Sequence, residues 1–178
     1  MALSRLARQA LEICSEKGRI QLGTLQKDAN GAPLPFGGHY WSLTHKPKYV
    51  GAVISLQKTG IDIEEVRTIS SPMFKRVAGD GEWQLGGSRS EMLFFRYWTA
   101  KEAVLKKLGV GLTGLSRCRI VEVDAEAGVG GARQLVLDDG LRVEGVGGRA
   151  QGELRRRKWG RRVGEVVEAA GEGEGALP

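Results

Sequence analysis

The sequence predicts an α+β fold in which small antiparallel sheets pack on helices. Three observations predict it: apolar residues at helical spacing over residues 1–14, two strand-like runs joined at Pro47, and strong helix formers over residues 98–108, in a long helix that runs from residue 91. The length of 178 residues suits one domain or two small, closely packed halves. No apolar run approaches the roughly 20 residues that span a membrane, so we expect no membrane-spanning segment.

The first half of the chain predicts a helix, a hairpin and a strand. The helix would turn one apolar face inward: Leu3, Leu6, Ala7, Ala10, Leu11 and Cys14. Because no small-residue cleavage site follows a continuous apolar run, we interpret it as a core helix and not as a signal peptide. The hairpin has strands over residues 40–45 and 49–55, and a third strand covers residues 60–64.

The second half predicts short helical pieces over residues 67–84, the long helix, and then more strands. These strands cover residues 119–123, 134–137 and 141–146, with a hairpin turn at residues 138–140. Residues 148–178 hold an arginine cluster followed by a stretch rich in glycine and glutamate. Such a composition offers little to bury, so we expect a disordered tail.

The distribution of charge and the positions of the cysteines limit the possible classes of function. Residues 149–162 contain seven basic residues and one acidic residue, and this segment accounts for the whole net charge of +6. Nucleic-acid binding is therefore an alternative that rests on this segment alone. Cys14 and Cys118 lie far apart and outside any CxxC motif, which indicates free thiols in a reducing compartment. We expect a cytoplasmic protein.

Two acids on the third strand are candidate metal ligands. Strand side chains alternate, so Ile61 and Ile63 are expected to point into a core while Asp62 and Glu64 share the opposite face. Paired carboxylates are suitable ligands for Mg²⁺, which prefers oxygen donors. A solvated strand face would have the same pattern, and this alternative stays open for the strand taken alone.

The long helix carries a third acid between two lysines. Lys101, Glu102 and Lys106 are expected to lie near one another, so that the acid could bind a metal while the lysines neutralise a phosphate. The alternative is structural: Thr99 and Glu102 fit a capping box, and Glu102 with Lys106 fits a surface ion pair. The acids of the third strand favour the first interpretation, because three acids on two rigid elements make a site.

Four motifs occur in an order that resembles the 4'-phosphopantetheinyl transferase superfamily, in particular its surfactin-synthetase-activating type. They are Gly31-x-Pro33, Trp41-Ser-Leu-Thr-His45, Gly60-Ile-Asp-Ile-Glu64 and Trp98-Thr-Ala-Lys-Glu102-Ala-Val-Leu-Lys106. The resemblance implies transfer of the phosphopantetheine arm of coenzyme A to a serine of an acyl or peptidyl carrier protein, with release of adenosine 3',5'-bisphosphate. Such carriers serve fatty-acid, polyketide or nonribosomal-peptide biosynthesis.

The resemblance also implies roles for residues. Asp62, Glu64 and Glu102 would hold Mg²⁺ on the coenzyme A pyrophosphate, and Lys106, with Lys101, would neutralise charge there. Three neighbours on the first hairpin strand would grip the 3'-phosphate of the coenzyme: Thr44, His45 and Lys46. The base that deprotonates the serine is Glu102 or a metal-bound water, and we favour Glu102.

The fold implied by the resemblance has two similar halves, each a small antiparallel sheet packed on a helix, which meet at the active site. We place the halves at residues 1–58 and 59–147, followed by the tail at 148–178. The expected partners are coenzyme A and an apo carrier protein, with no nucleic acid or membrane, and the expected state is a monomer. The alternative function is a degenerate, non-catalytic relative that binds a carrier protein or coenzyme A.

Overall fold

Two antiparallel sheets and a long helix make up the fold. The computed structural model describes residues 2–47, 49–124, 131–137, 142–147 and 162–167. Its helices are α1 (Ala2–Gly18), α2 (Ser71–Val77), α3 (Asp80–Leu85), α4 (Glu91–Leu108) and a 3-10 helix (Gly111–Arg117). Its strands are β1 (Tyr40–Lys46), β2 (Tyr49–Ser55), β3 (Gly60–Glu65), β4 (Cys118–Asp124), β5 (Gly131–Leu137), β6 (Arg142–Gly147) and β7 (Arg162–Val167). The predicted α+β class is confirmed.

Helix α1 packs on the β1–β2 hairpin, as its apolar face predicts. Leu11 is fully buried there with Phe36 and Trp41, and the Trp41 indole N–H donates to the Leu34 carbonyl at 2.8 Å. Leu6 is an exception to the predicted face, because it is 45% exposed. The buried face runs through Ala7 and Leu11, which are four residues apart and therefore share one side of the helix.

The second sheet has five strands in the order β3-β7-β6-β5-β4, with each neighbouring pair antiparallel. Strand β7 lies between β3 and β6 and belongs to the predicted tail, so the sequence analysis missed a strand there. The rest of that tail, with the arginine cluster of residues 149–161, lies outside the described residues. The predicted turn at residues 138–140 also lies outside them.

Helix α4 forms the centre of the larger core. The Ser90 side chain caps its start by accepting from the Leu93 N–H, and Gly109 ends it in the left-handed conformation, with φ at 73°. Its buried side chains include Phe95, Tyr97 and Val104. None of the helices in the described part of the chain has the length and apolar character to cross a bilayer.

Strand β3 crosses α4 at very short range. A Cβ atom added to Gly60 would lie 1.9 Å from the Ala103 carbonyl oxygen and 2.8 Å from the Lys107 backbone nitrogen. Only glycine fits this contact, because the obstructing atoms are backbone and cannot rotate away. The close approach brings the side chains that follow Gly60 on β3 against the face of α4.

Candidate functional site

The two acids of β3 face the interior of the protein. Asp62 is 3% exposed and Glu64 is 8% exposed, whereas Ile61 and Ile63 are only partly buried. The predicted alternation of side chains along β3 is confirmed. The predicted core face is wrong, because the acids are more buried than the isoleucines. The reason is tertiary: β1 and α4 both pack against the acidic face of β3, so this face is not solvated. The alternative of an exposed acidic strand face is wrong.

Asp62 uses one carboxylate oxygen for all its bonds. Its Oδ1 accepts from the Thr44 hydroxyl at 3.0 Å and from the Lys106 Nζ at 2.8 Å. Its Oδ2 is buried and accepts no hydrogen bond from any described residue. A buried carboxylate oxygen without a donor is rare, and it is an acceptor that a bound cation would satisfy.

Glu64 repeats this arrangement. Its Oε1 accepts from the Lys46 Nζ at 2.5 Å and from the Trp98 indole N–H at 3.0 Å. Each acid therefore has one charged and one neutral donor, and both donors lie on the same oxygen. The pairs join β1, β3 and α4 into one polar cluster.

The Glu102 carboxyl lies within electrostatic range of both Asp62 and Glu64. Burial raises the pKa of its carboxyl, and the negative charges of Asp62 and Glu64 raise it further, against the opposing effect of Lys106 and Lys46. The predicted capping box is wrong, because Thr99 lies inside α4 and its hydroxyl donates to the Phe95 carbonyl. Among the described residues, no three His, Cys, Asp or Glu side chains are already arranged as metal ligands.

Strand β1 divides its predicted phosphate-binding residues between two faces. Thr44 and Lys46 point toward β3, as does Ser42, whose Oγ accepts from the Ile61 N–H at 3.2 Å. His45 lies on the other face and is exposed. The structure therefore brings Thr44 and Lys46 into the acid cluster and leaves His45 outside it.

Lys101 does not join the cluster, which corrects the expectation that it lies beside Glu102 and Lys106. It is 2% exposed, and its Nζ donates to Glu82 Oε1 at 2.6 Å and to the Val77 carbonyl at 2.7 Å. Successive helical residues are about 100° apart around the axis, so Lys101 points to another side of α4. There it lines a separate cavity of about 600 Å³.

A cavity of about 340 Å³ opens beside the acid cluster. Glu102 and Lys106 line it together with Trp41, Ser42 and the loop at residues 30–33. Lys27 also lines it, and the sequence analysis did not select this residue. Lys27 is paired with Pro33 through an isolated bridge of the backbone, a contact with no sequence signal of its own. The cavity could receive an anionic ligand next to Lys106.

Trp98 is the other site residue that the sequence analysis missed. Trp98, Glu102 and Lys106 are spaced four residues apart, which places them on one side of α4. Applied to this helix, the i, i+4 rule would have selected Trp98 in place of Lys101. The Trp98 ring also packs against the large hydrophobic cluster.

The donor set fits a divalent metal ion. Asp62, Glu64 and Glu102 are hard oxygen donors of the kind that Mg²⁺ prefers, and the buried Asp62 Oδ2 is an acceptor without a donor.

Comparisons with known proteins match the part of the chain that carries the acids. Residues 58–144 match the family model of the 4'-phosphopantetheinyl transferase superfamily, a range that contains β3 and α4. The chain is also 31% identical over 98 residues to the 4'-phosphopantetheinyl transferase psf-1 of Bacillus pumilus. That alignment covers 51% of this chain and 42% of the relative, so the chain matches less than half of the relative's length. The acidic strand and the central helix both lie inside the matched range, so the part of the chain that carries the candidate site is similar to the 4'-phosphopantetheinyl transferase superfamily.

Proposed function

We propose that the protein transfers the 4'-phosphopantetheine arm of coenzyme A to a serine of an acyl or peptidyl carrier protein, in a Mg²⁺-dependent reaction that releases adenosine 3',5'-bisphosphate. One observation carries the proposal: the buried acids of β3 and Glu102 of α4 form a single electrostatic cluster beside a cavity. The similarity of residues 58–144 to the superfamily supports the reaction class.

The metal would be held by Asp62, Glu64 and Glu102. When bound, Mg²⁺ supplies charge neutralisation for the pyrophosphate of coenzyme A. The protein supplies the ammonium group of Lys106, whose Nζ already lies 2.8 Å from Asp62 and 3.0 Å from the Ile61 carbonyl. Phosphoryl transfer depends mainly on such positioning and charge neutralisation.

The 3'-phosphate of coenzyme A would bind at the end of β1, where Thr44, His45 and Lys46 follow one another. Thr44 and Lys46 now donate to Asp62 and Glu64, while the exposed His45 makes no such contact. We therefore assign the first contact with this phosphate to His45. Lys46, with a side chain 33% exposed, could turn from Glu64 to the phosphate once a metal neutralises that acid.

Glu102 is the proposed general base. Its carboxyl lines the cavity beside Lys106, where the hydroxyl of an incoming serine could come within hydrogen-bond reach. In the transfer step the serine oxygen forms a bond to the phosphorus of the phosphopantetheine arm. The bond from that phosphorus to the oxygen of the departing adenosine bisphosphate breaks, and the serine proton passes to Glu102.

The test incubates the purified chain with coenzyme A, Mg²⁺ and a panel of apo carrier proteins, and mass spectrometry detects the added arm. We expect transfer by the wild type and none by Asp62→Ala, with unchanged circular dichroism. Glu65→Ala is the matched control, because Glu65 is the next acid along the strand after Glu64 but is exposed, and it should remain active. Full transfer by Asp62→Ala would contradict the proposal.

A non-catalytic relative that binds a carrier protein or coenzyme A is the second candidate. It is favoured by the lack of a ready-made metal cluster among the described residues. The same experiment separates the two candidates. Metal-independent binding of coenzyme A or a carrier, with no transfer to any carrier, would support the second.

Three broader features belong to the same proposal. We propose that residues 1–58 and 59–147 are two related halves that meet at the acid cluster, since Thr44 and Lys46 come from the first and Asp62 and Glu64 from the second. We propose that the protein acts as a monomer. Both cysteines are free, which favours a reducing compartment such as the cytoplasm.

A further inference from the structure

Trp98 and Lys46 hold the same oxygen of Glu64, but they differ in charge and mobility. The Lys46 side chain is one-third exposed at 33%, and its ammonium group would be repelled by a cation bound at Glu64. The Trp98 indole is neutral, and its ring packs against the large core cluster of α4. Only the indole can therefore keep its 3.0 Å hydrogen bond to Oε1 when a cation arrives.

This bond leaves the second carboxylate oxygen of Glu64 available. Oε1 accepts from both donors, and no described residue donates to Oε2. Asp62 shows the same division, with Thr44 as its neutral donor and Oδ2 without a donor. A carboxylate that is held through one oxygen by a rigid neutral donor loses rotational freedom without losing charge, and outer contacts of this kind tune metal affinity.

We propose that Trp98 is a positioning residue for the metal site, acting through Glu64. The inference rests on the proposed function, because it requires that Glu64 binds the metal. Trp98 would not touch the metal, coenzyme A or the reacting serine. It would fix the Glu64 carboxylate so that Oε2 is presented on the side of Asp62 and Glu102.

The test measures Mn²⁺ affinity from the paramagnetic resonance signal of the free ion, using the full chain without coenzyme A. Trp98→Phe removes the indole donor and retains an aromatic ring. We expect it to weaken Mn²⁺ binding by about tenfold, at the lower end of the range for outer-shell contacts. Trp83→Phe is the matched control, because the Trp83 indole donates to the Ala78 carbonyl, away from the acids. It should leave Mn²⁺ affinity unchanged.

A double-mutant cycle separates positioning from a general loosening of the helix. In a Glu64→Ala background, Trp98→Phe should cause no further loss of Mn²⁺ affinity, because its target is gone. An equal loss in both backgrounds would assign Trp98 to packing alone and overturn the inference. Unchanged affinity in Trp98→Phe, with weaker binding in Glu64→Ala, would overturn it while leaving the metal site intact.

Failure of the proposed function gives a different result. If wild type, Asp62→Ala and Glu64→Ala all bind Mn²⁺ equally weakly, the acids do not form a metal site. The proposed role of the acids as metal ligands and the role of Trp98 would then both be overturned. The inference about Trp98 stands only if the wild type binds Mn²⁺ more tightly than Glu64→Ala and the effect of Trp98→Phe disappears in that background.

Discussion

At the scale of single residues, the site consists of acids that the fold keeps out of water. Buried carboxylates are stable when donors compensate them, and Asp62 and Glu64 each have a lysine and a neutral donor. Glu102 is different, because burial and two neighbouring acids oppose its ionisation. Glu102, whose ionised form is disfavoured, therefore lies near two carboxylates whose charge is balanced by lysines, Asp62 and Glu64.

This difference predicts a pH dependence for Glu102. Its pKa in the folded protein is raised above the ordinary value of 4.5, so the unfolded chain loses this proton first as the pH rises. The contribution of Glu102 to stability is fully present below pH 4.5 and is lost as the pH rises through the folded pKa. The glutamine of Glu102→Gln does not titrate. The unfolding free energy of this variant, minus that of the wild type, should therefore increase as the pH rises above 4.5.

Urea unfolding of both proteins with a metal chelator, at several pH values from 4.5 to neutrality, measures this effect. Titration of carboxyls that do not interact with Glu102 cancels in the difference between the two proteins. A difference that stays constant over this range would mean that the folded environment does not raise the pKa of Glu102.

At the scale of secondary structure, the site depends on how closely β3 approaches α4. The bond from Lys106 Nζ to the Ile61 carbonyl joins the strand backbone directly to the helix. Trp98, four residues before Glu102, reaches the acid at the other end of the same strand. The geometry of the acids is therefore set by one contact between two elements, which Gly60 makes possible.

Gly60→Ala should disrupt this contact. The new Cβ would lie 1.9 Å from the Ala103 carbonyl oxygen, so β3 must move away from α4, at a cost of about 1–3 kcal/mol. Gly81→Ala is the control, since a Cβ at Gly81 meets nothing within 4 Å and helix α3 should gain about 0.5–1 kcal/mol. Denaturant unfolding compares the three proteins, and equal stability of Gly60→Ala and wild type would contradict the close approach.

At the scale of the whole molecule, a buried ion pair joins four elements behind the site. Lys101 of α4 donates to Glu82 of α3 and to the Val77 carbonyl of α2. Glu82 Oε1 also accepts from the Ile120 N–H of β4 at 2.9 Å. Lys101 thus connects the core to the sheet, whereas the sequence suggested a contact with coenzyme A.

The two roles of Lys101 predict different results for Lys101→Met. The structural role predicts a loss of about 3 kcal/mol of unfolding free energy, because Glu82 remains as a buried charge without its cation. Adding Glu82→Gln should recover part of this loss, since the amide oxygen can still accept from Ile120. Calorimetry of coenzyme A binding provides the contrast. Unchanged stability together with weakened coenzyme A binding would restore the sequence-based role.

Much of the fold followed from local pattern. Helical spacing predicted α1, strong helix formers predicted α4, and Pro47 marked the turn between β1 and β2. The sequence analysis missed strand β7 because its alternating residues form only a short run, between an arginine-rich and a glycine-rich segment. Its place between β3 and β6 depends on pairing with residues distant in sequence.

The sequence by itself determined which acids are present, that two of them share one strand face, and which family these motifs resemble. Each of these is a property of a few neighbouring residues, so local spacing suffices. Only the tertiary structure decided that this face is buried, that Thr44 and Lys106 bind Asp62, and that Lys101 points elsewhere. The reason is physical: Thr44 and Lys106 lie 18 and 44 residues from Asp62, and contacts over such separations arise only when the elements pack.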